Sequence, residues 1–123
     1  MSATVCILDD DDAVRDSLRV LLESYALEVR DFGSSQALLD AQDLEDVGCF
    51  VVDFHMPEMN GMELLEALRS RGIRAPAVIV SAVAVGTETE GDAGPVSVLT
   101  KPVPESELIG WIRQALGGDS AAN

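Results

Sequence analysis

The stretch Thr4-Val5-Cys6-Ile7-Leu8-Asp9-Asp10-Asp11-Asp12 passes from a branched apolar run to four consecutive carboxylates in one step. A short, unbroken apolar run of this kind reads as a strand buried on both faces, as in a parallel sheet. The pattern recurs downstream. Cys49-Phe50-Val51-Val52 ends in Asp53, Ala77-Val78-Ile79-Val80 ends at Ser81, and Val96-Ser97-Val98-Leu99 runs into Thr100-Lys101-Pro102. Helical spacing fills the intervals. Val14, Leu18, Leu21, Leu22 and Tyr25, with Arg15, Asp16, Arg19 and Glu23 between them, predict an amphipathic helix. Residues 26–31 alternate weakly as a strand, and Ser34 or Ser35 is placed to cap a short helix carrying Ala37, Leu38, Ala41 and Leu44. Met62, Leu64, Leu65 and Leu68 mark another helix. A final one begins at Glu105 or Ser106, carries Leu108, Ile109, Ile112 and Leu116, and stops at Gly117-Gly118.

Strands alternating with helices predict an α/β fold: a parallel sheet covered on both faces, joined by right-handed crossovers. In such a sheet the carboxyl ends of all strands lie on one edge, where sites form. Asp9 and Asp10, Asp53, Ser81 and Lys101 each follow or end an apolar run, so the topology brings them into one shallow pocket. Crowded carboxylates repel, and either their pKa values rise or a cation joins them. Lys101 alone does not neutralise three. A hard divalent ion such as Mg²⁺, which takes one or two carboxylates and keeps several waters, would. The metal, the ammonium and the hydroxyl can each take one oxygen of a phosphoryl group, and a carboxylate can attack phosphorus to form an aspartyl phosphate. Singly, each feature has a plainer reading: Asp9 to Asp12 as loop and helix cap, Asp53 as a turn residue, Lys101-Pro102 as a strand exit. Their agreement at four strand ends is the stronger signal.

The chain has 123 residues, with 8 Lys plus Arg against 22 Asp plus Glu, a formal charge of −14. The length fits one domain, and an acidic surface disfavours direct binding to nucleic acid or anionic membrane. No apolar run approaches a membrane span and no signal-peptide pattern opens the chain, which, with two cysteines inside apolar runs, points to a cytoplasmic, reducing setting. Cys6 and Cys49 fall at similar depths on adjacent strands, which leaves open whether they are neighbours; buried, reduced thiols are expected.

Residues 3–117 resemble the receiver domains of two-component response regulators, most closely those preceding helix-turn-helix outputs in transcription regulators. The resemblance rests on Val5-Cys6-Ile7-Leu8-Asp9-Asp10, on Val51-Val52-Asp53-Phe54-His55-Met56-Pro57-Glu58-Met59-Asn60-Gly61, on Val78-Ile79-Val80-Ser81-Ala82 and on Leu99-Thr100-Lys101-Pro102. It implies a flavodoxin-like five-stranded parallel sheet of order 2-1-3-4-5. It implies that Asp53 is the phosphoacceptor, served by a histidine kinase or phosphotransfer protein. Asp9, Asp10, Asp53 and the backbone carbonyl of His55 would hold Mg²⁺, while Ser81 and Lys101 would bind the phosphoryl group. Lys101-Pro102 would be a cis peptide. Such a protein is no enzyme beyond its own phosphoryl transfer and dephosphorylation. It acts on a downstream protein or output domain, with homodimerisation open.

The receiver is assigned to residues 1–118 and a disordered tail to 119–123, so output is expected from another chain or from a protein of which this is an excised receiver. Two departures from the family stand out. The segment 82–95 holds Gly86, Gly91, Gly94 and Pro95 without an apolar stripe, so the fourth helix is expected to be degenerate or missing. Val98 occupies the position where receivers usually carry Tyr or Phe. Both predict an atypical output face. Two other functions are weighed: a phosphate-independent pseudo-receiver acting as an interaction module, and a Mg²⁺-dependent phosphohydrolase. The hydrolase would need a second carboxylate two residues beyond the nucleophile, where His55 stands. Trp111, one position off the Ile112 stripe, either covers the core edge or lies on a contact surface.

Overall fold

The computed structural model describes residues 4–56, 59–82 and 96–117. Strands β1 (Thr4–Leu8), β2 (Glu28–Phe32), β3 (Val47–Asp53), β4 (Ala77–Ser81) and β5 (Val96–Thr100) form one sheet in the order β2-β1-β3-β4-β5. Every neighbouring pair is parallel, as the flavodoxin-like reading requires. Helices α1 (Asp12–Ser24), α2 (Ser35–Asp40), α3 (Gly61–Ser70) and α4 (Glu105–Ala115) complete the described elements, with a 3-10 turn at Leu44–Asp46. Apart from Ala82, an exposed residue after β4, the segment whose helix was in question lies outside the described residues, as does the tail 119–123. Among the described residues no helix is long and apolar enough to cross a membrane.

Side-chain oxygens set where the helices begin. The Asp11 carboxylate accepts from the amides of Ala13 and Val14 at 2.9 and 3.1 Å, and Asp12 stands in the first turn of α1. Capping therefore accounts for the second half of the aspartate run, where acidic groups also suit the helix dipole. Asp9 and Asp10 are left ahead of the cap. Ser34 caps α2, and Asn60 and Glu63 form a reciprocal capping box at α3.

The second strand starts later than its alternation predicts, at Glu28 rather than residue 26. Ala26 is left-handed (φ 64°), with its amide donating to the Glu23 carbonyl while the Leu27 amide donates to that of Leu22. The residue thus belongs to the C-terminal cap of α1 rather than to β2.

Alternation along the central strands divides the interior into two cores. Cys6, Leu8, Phe50, Val52 and Ile79 face Leu38 of α2 and Leu64, Leu65 and Leu68 of α3. Val5, Ile7, Cys49, Val51 and Val78 face Leu22 of α1 and Leu108, Ile109 and Ile112 of α4. Trp111 is half-buried against this second core, and its indole N–H donates to Ser97 Oγ at 3.1 Å, so it covers the core edge.

The register also answers whether the two cysteines are neighbours. Cys49 lies opposite Val5, and Cys6 opposite Phe50, so the two thiols occupy different cores on opposite faces of the sheet. Both are buried and reduced. Burial pushes each thiol up from 9.0 to about 12; at Cys6 the charge of Arg30 opposes the rise, while charge on Cys49, across the sheet, and on Asp31 adds to it. The folded state therefore keeps both protons after the unfolded chain has begun to release them. Stability should fall as pH rises from about 9 toward 12, by up to about 1.4 kcal/mol per pH unit for each thiol. Urea melts across that range should show a steeper decline for the native chain than for the Cys6→Ala/Cys49→Ala variant.

Gly61 opens α3 where a side chain has no room. A Cβ there would stand 2.9 Å from Ile79 Cδ1 and 3.1 Å from Val52 Cγ1. Gly61→Ala should destabilise by about 1–3 kcal/mol through overpacking, measured as a lower urea midpoint with an unchanged m value.

Candidate functional site

The parallel sheet places its polar residues on one edge as the sequence predicts. Asp9 follows β1, Asp53 ends β3, Ser81 ends β4 and Lys101 follows β5. One carboxylate oxygen from each of Asp9, Asp10 and Asp53 lies within 4.8 Å of the other two. Asp9 is 5% exposed and Asp53 8%, whereas Asp10 is open to solvent. Lys101 Nζ stands 3.6 Å from Asp53 Oδ1, and the same oxygen accepts the His55 amide at 3.2 Å. Ser81 is fully buried, and its carbonyl accepts from the Lys101 amide at 2.7 Å, which ties the ends of β4 and β5 together. The Lys101-Pro102 peptide is cis. The His55 side chain is exposed, so its proximity to Asp53 comes through the backbone.

Asp9 is held on three sides. Its amide donates to the Phe32 carbonyl at 3.2 Å, its Oδ1 accepts from the Asp11 amide at 2.9 Å, and its carbonyl accepts from Arg15 Nη1 at 2.8 Å. Burial pushes its carboxyl above the usual range, the charges of Asp53 and Asp10 push the same way, and the Asp11 amide and Lys101 oppose them. This is what the repulsion argument expects when one ammonium faces three carboxylates. The donor set is all oxygen and hard, which suits a divalent ion of the Mg²⁺ type and not a thiolate-seeking metal. Beside this cluster opens an apolar cavity of about 530 Å³, walled by Val14 and Leu18 of α1, Val51 and Val80 of the sheet, and Val103. It gives Asp53 an approach from the α1 side.

Two contributors escaped the sequence reading. Arg15 appeared there only as a polar residue between apolar helix positions, yet it reaches back to Asp9. Gly33, which makes room for the Arg15 guanidinium, gave no signal at all.

Comparison with known proteins agrees with this geometry. The response regulator receiver domain family matches residues 5–113. The transcriptional regulatory protein FixJ of Azorhizobium caulinodans is 39% identical over 94% of this chain and 56% of its own length. The response regulator protein TodT of Pseudomonas putida is 35% identical over 94% of this chain and 52% of its own. The chain thus spans about half the length of these curated relatives. The solved response regulator StyR superposes with a TM-score of 0.87 at 34% identity, over 99% of this chain and 63% of that one. A receiver domain protein from Methanospirillum hungatei gives 0.79 at 25% identity, with both chains fully covered. With an acidic edge, a lysine and a hydroxyl gathered on a 2-1-3-4-5 sheet, the chain belongs to the response regulator receiver domain family of two-component signalling.

Proposed function

We propose that Asp53 accepts a phosphoryl group from the phosphohistidine of a histidine kinase or phosphotransfer protein, and that the modified domain signals by protein contact. The observation that carries this reading is the Asp53 carboxylate itself, buried at the end of β3 within reach of Asp9, Asp10 and Lys101. In the transfer, an Asp53 oxygen attacks phosphorus, the phosphorus–nitrogen bond to imidazole breaks, and the departing imidazole recovers its electron pair and a proton. The product is a mixed anhydride, the aspartyl phosphate. Both described contacts to Asp53 fall on Oδ1, so the His55 amide and Lys101 orient the carboxylate by one oxygen and present the other as nucleophile.

Asp9, Asp10, Asp53 and the His55 carbonyl are the residues that would hold Mg²⁺, and the bound ion supplies positive charge for the transferring phosphoryl oxygens. Lys101 exchanges its contact with Asp53 for one with a phosphoryl oxygen, and the Ser81 hydroxyl bonds another. The domain works on its own acceptor rather than on a separate substrate, in the cytoplasm. Val98 stands at the β5 position where the family usually carries an aromatic residue and is half-buried against the α2/α3 core, which supports an output face of unusual chemistry. Addition of beryllofluoride and Mg²⁺ should shift the amide resonances of Asp53, Ser81 and Lys101 together. Unchanged spectra at saturating reagent would count against the acceptor role and favour a phosphate-independent interaction module.

A further inference from the structure

We propose that Arg15 is a positioning residue for the acidic edge, one that fixes the Asp9 turn for cation binding without consuming the charge of the carboxylate trio. This rests on the reading of Asp9, Asp10 and Asp53 as a metal site. The fork of Arg15 is spent on three partners. Nη1 donates to the Asp9 carbonyl at 2.8 Å, Nη2 meets Asp12 Oδ1 at 2.6 Å, and Nε lies 3.7 Å from Asp31 Oδ2. These partners belong to the turn after β1, the first turn of α1 and strand β2, so one side chain ties three elements around the metal-side turn. Asp31 is itself held from the other side by Arg19 Nη1 at 3.0 Å.

The choice of atoms matters. A cation bonded directly to the Asp9 or Asp10 carboxylate would neutralise the charge an ion needs. Arg15 engages the Asp9 backbone instead, and its ion pairs go to Asp12 and Asp31, outside the carboxylate trio. It lowers the repulsion along the aspartate run while leaving the trio to the cation. The planar fork suits this role, since a lysine offers a point charge and cannot span the three acceptors in fixed geometry. The side chain is mostly buried, at 19% exposed, and Gly33 is the residue that admits it, because a Cβ there would stand 2.9 Å from Arg15 Nη1. Gly33→Ala is therefore a second way to displace the guanidinium, by crowding the far end of a flexible side chain and with Arg15 still present.

Titration of the amide resonances of Asp9 to Asp12 with MgCl₂, in the full chain, tests the proposal. Arg15→Ala should weaken Mg²⁺ binding at least tenfold and Gly33→Ala severalfold, while Arg15→Lys recovers part of the loss. In metal-free protein, hydrogen exchange at the Asp11 amide should quicken in Arg15→Ala, since the turn it closes on Asp9 Oδ1 loosens. Thermal unfolding of each variant separates this from loss of fold, and Gly33→Ala covers the case in which Arg15→Ala does not fold. A native chain that binds Mg²⁺ and folded variants that bind it with the same midpoint would overturn the role of Arg15 alone. A native chain with no Mg²⁺ titration at all would overturn the metal reading and the positioning role with it.

Discussion

Asp53→Asn will remain at its unmodified mass after incubation with Mg²⁺ and acetyl phosphate, under conditions where the native chain gains a phosphoryl group. The amide keeps the size and shape of the carboxylate, so the packing at the end of β3 is preserved. It lacks the anionic oxygen that would attack phosphorus on the proposed reading, and the loss is expected to be complete rather than graded. The substitution also removes one of three mutually repelling charges and the partner of Lys101. Intact-mass spectrometry gives the readout, and far-UV circular dichroism establishes that the variant is folded. A full adduct on Asp53→Asn would move the acceptor elsewhere.

Phe50→Ala carries the largest expected loss of stability. The ring is fully buried in the core between the sheet and α2/α3, in the strand that ends at Asp53. Removing a buried aromatic side chain costs about 3–5 kcal/mol, combining lost transfer energy with an unfilled cavity. A domain of this size has about 5–15 kcal/mol in total. Urea denaturation should show a much lower midpoint, with part of the population unfolded at 37 °C if the native stability lies at the low end of that range. A change below about 1 kcal/mol would contradict the two-core description.

Much of the architecture was legible because the central strands are buried on both faces and write themselves as unbroken apolar runs. Each run ends at the polar residue that reaches the site, so the sequence alone gathers Asp9, Asp53, Ser81 and Lys101. What escaped depends on information that periodicity does not hold. The start of β2 moved because Ala26 takes a left-handed conformation that local composition does not report. The facing of Cys6 and Cys49 depends on register, and a shift of one residue between β1 and β3 puts the thiols in different cores. Arg15 looked like an ordinary helix-surface cation because its reach to Asp9 is set by how α1 leaves β1 and by the space above Gly33. The four-aspartate run was ambiguous for a physical reason too: half of it caps a helix and half lines the site.

The central claim is that Asp53 is a Mg²⁺-dependent phosphoacceptor. The most direct test is to incubate the native chain with acetyl phosphate, with Mg²⁺ or with EDTA, and to measure intact mass followed by peptide mapping. The account predicts a gain of about 80 Da, one phosphoryl group, only with Mg²⁺, removed by hydroxylamine as an acyl phosphate should be, and confined to the peptide containing Asp53. No adduct, an adduct equally abundant in EDTA, or one on a different peptide would contradict it.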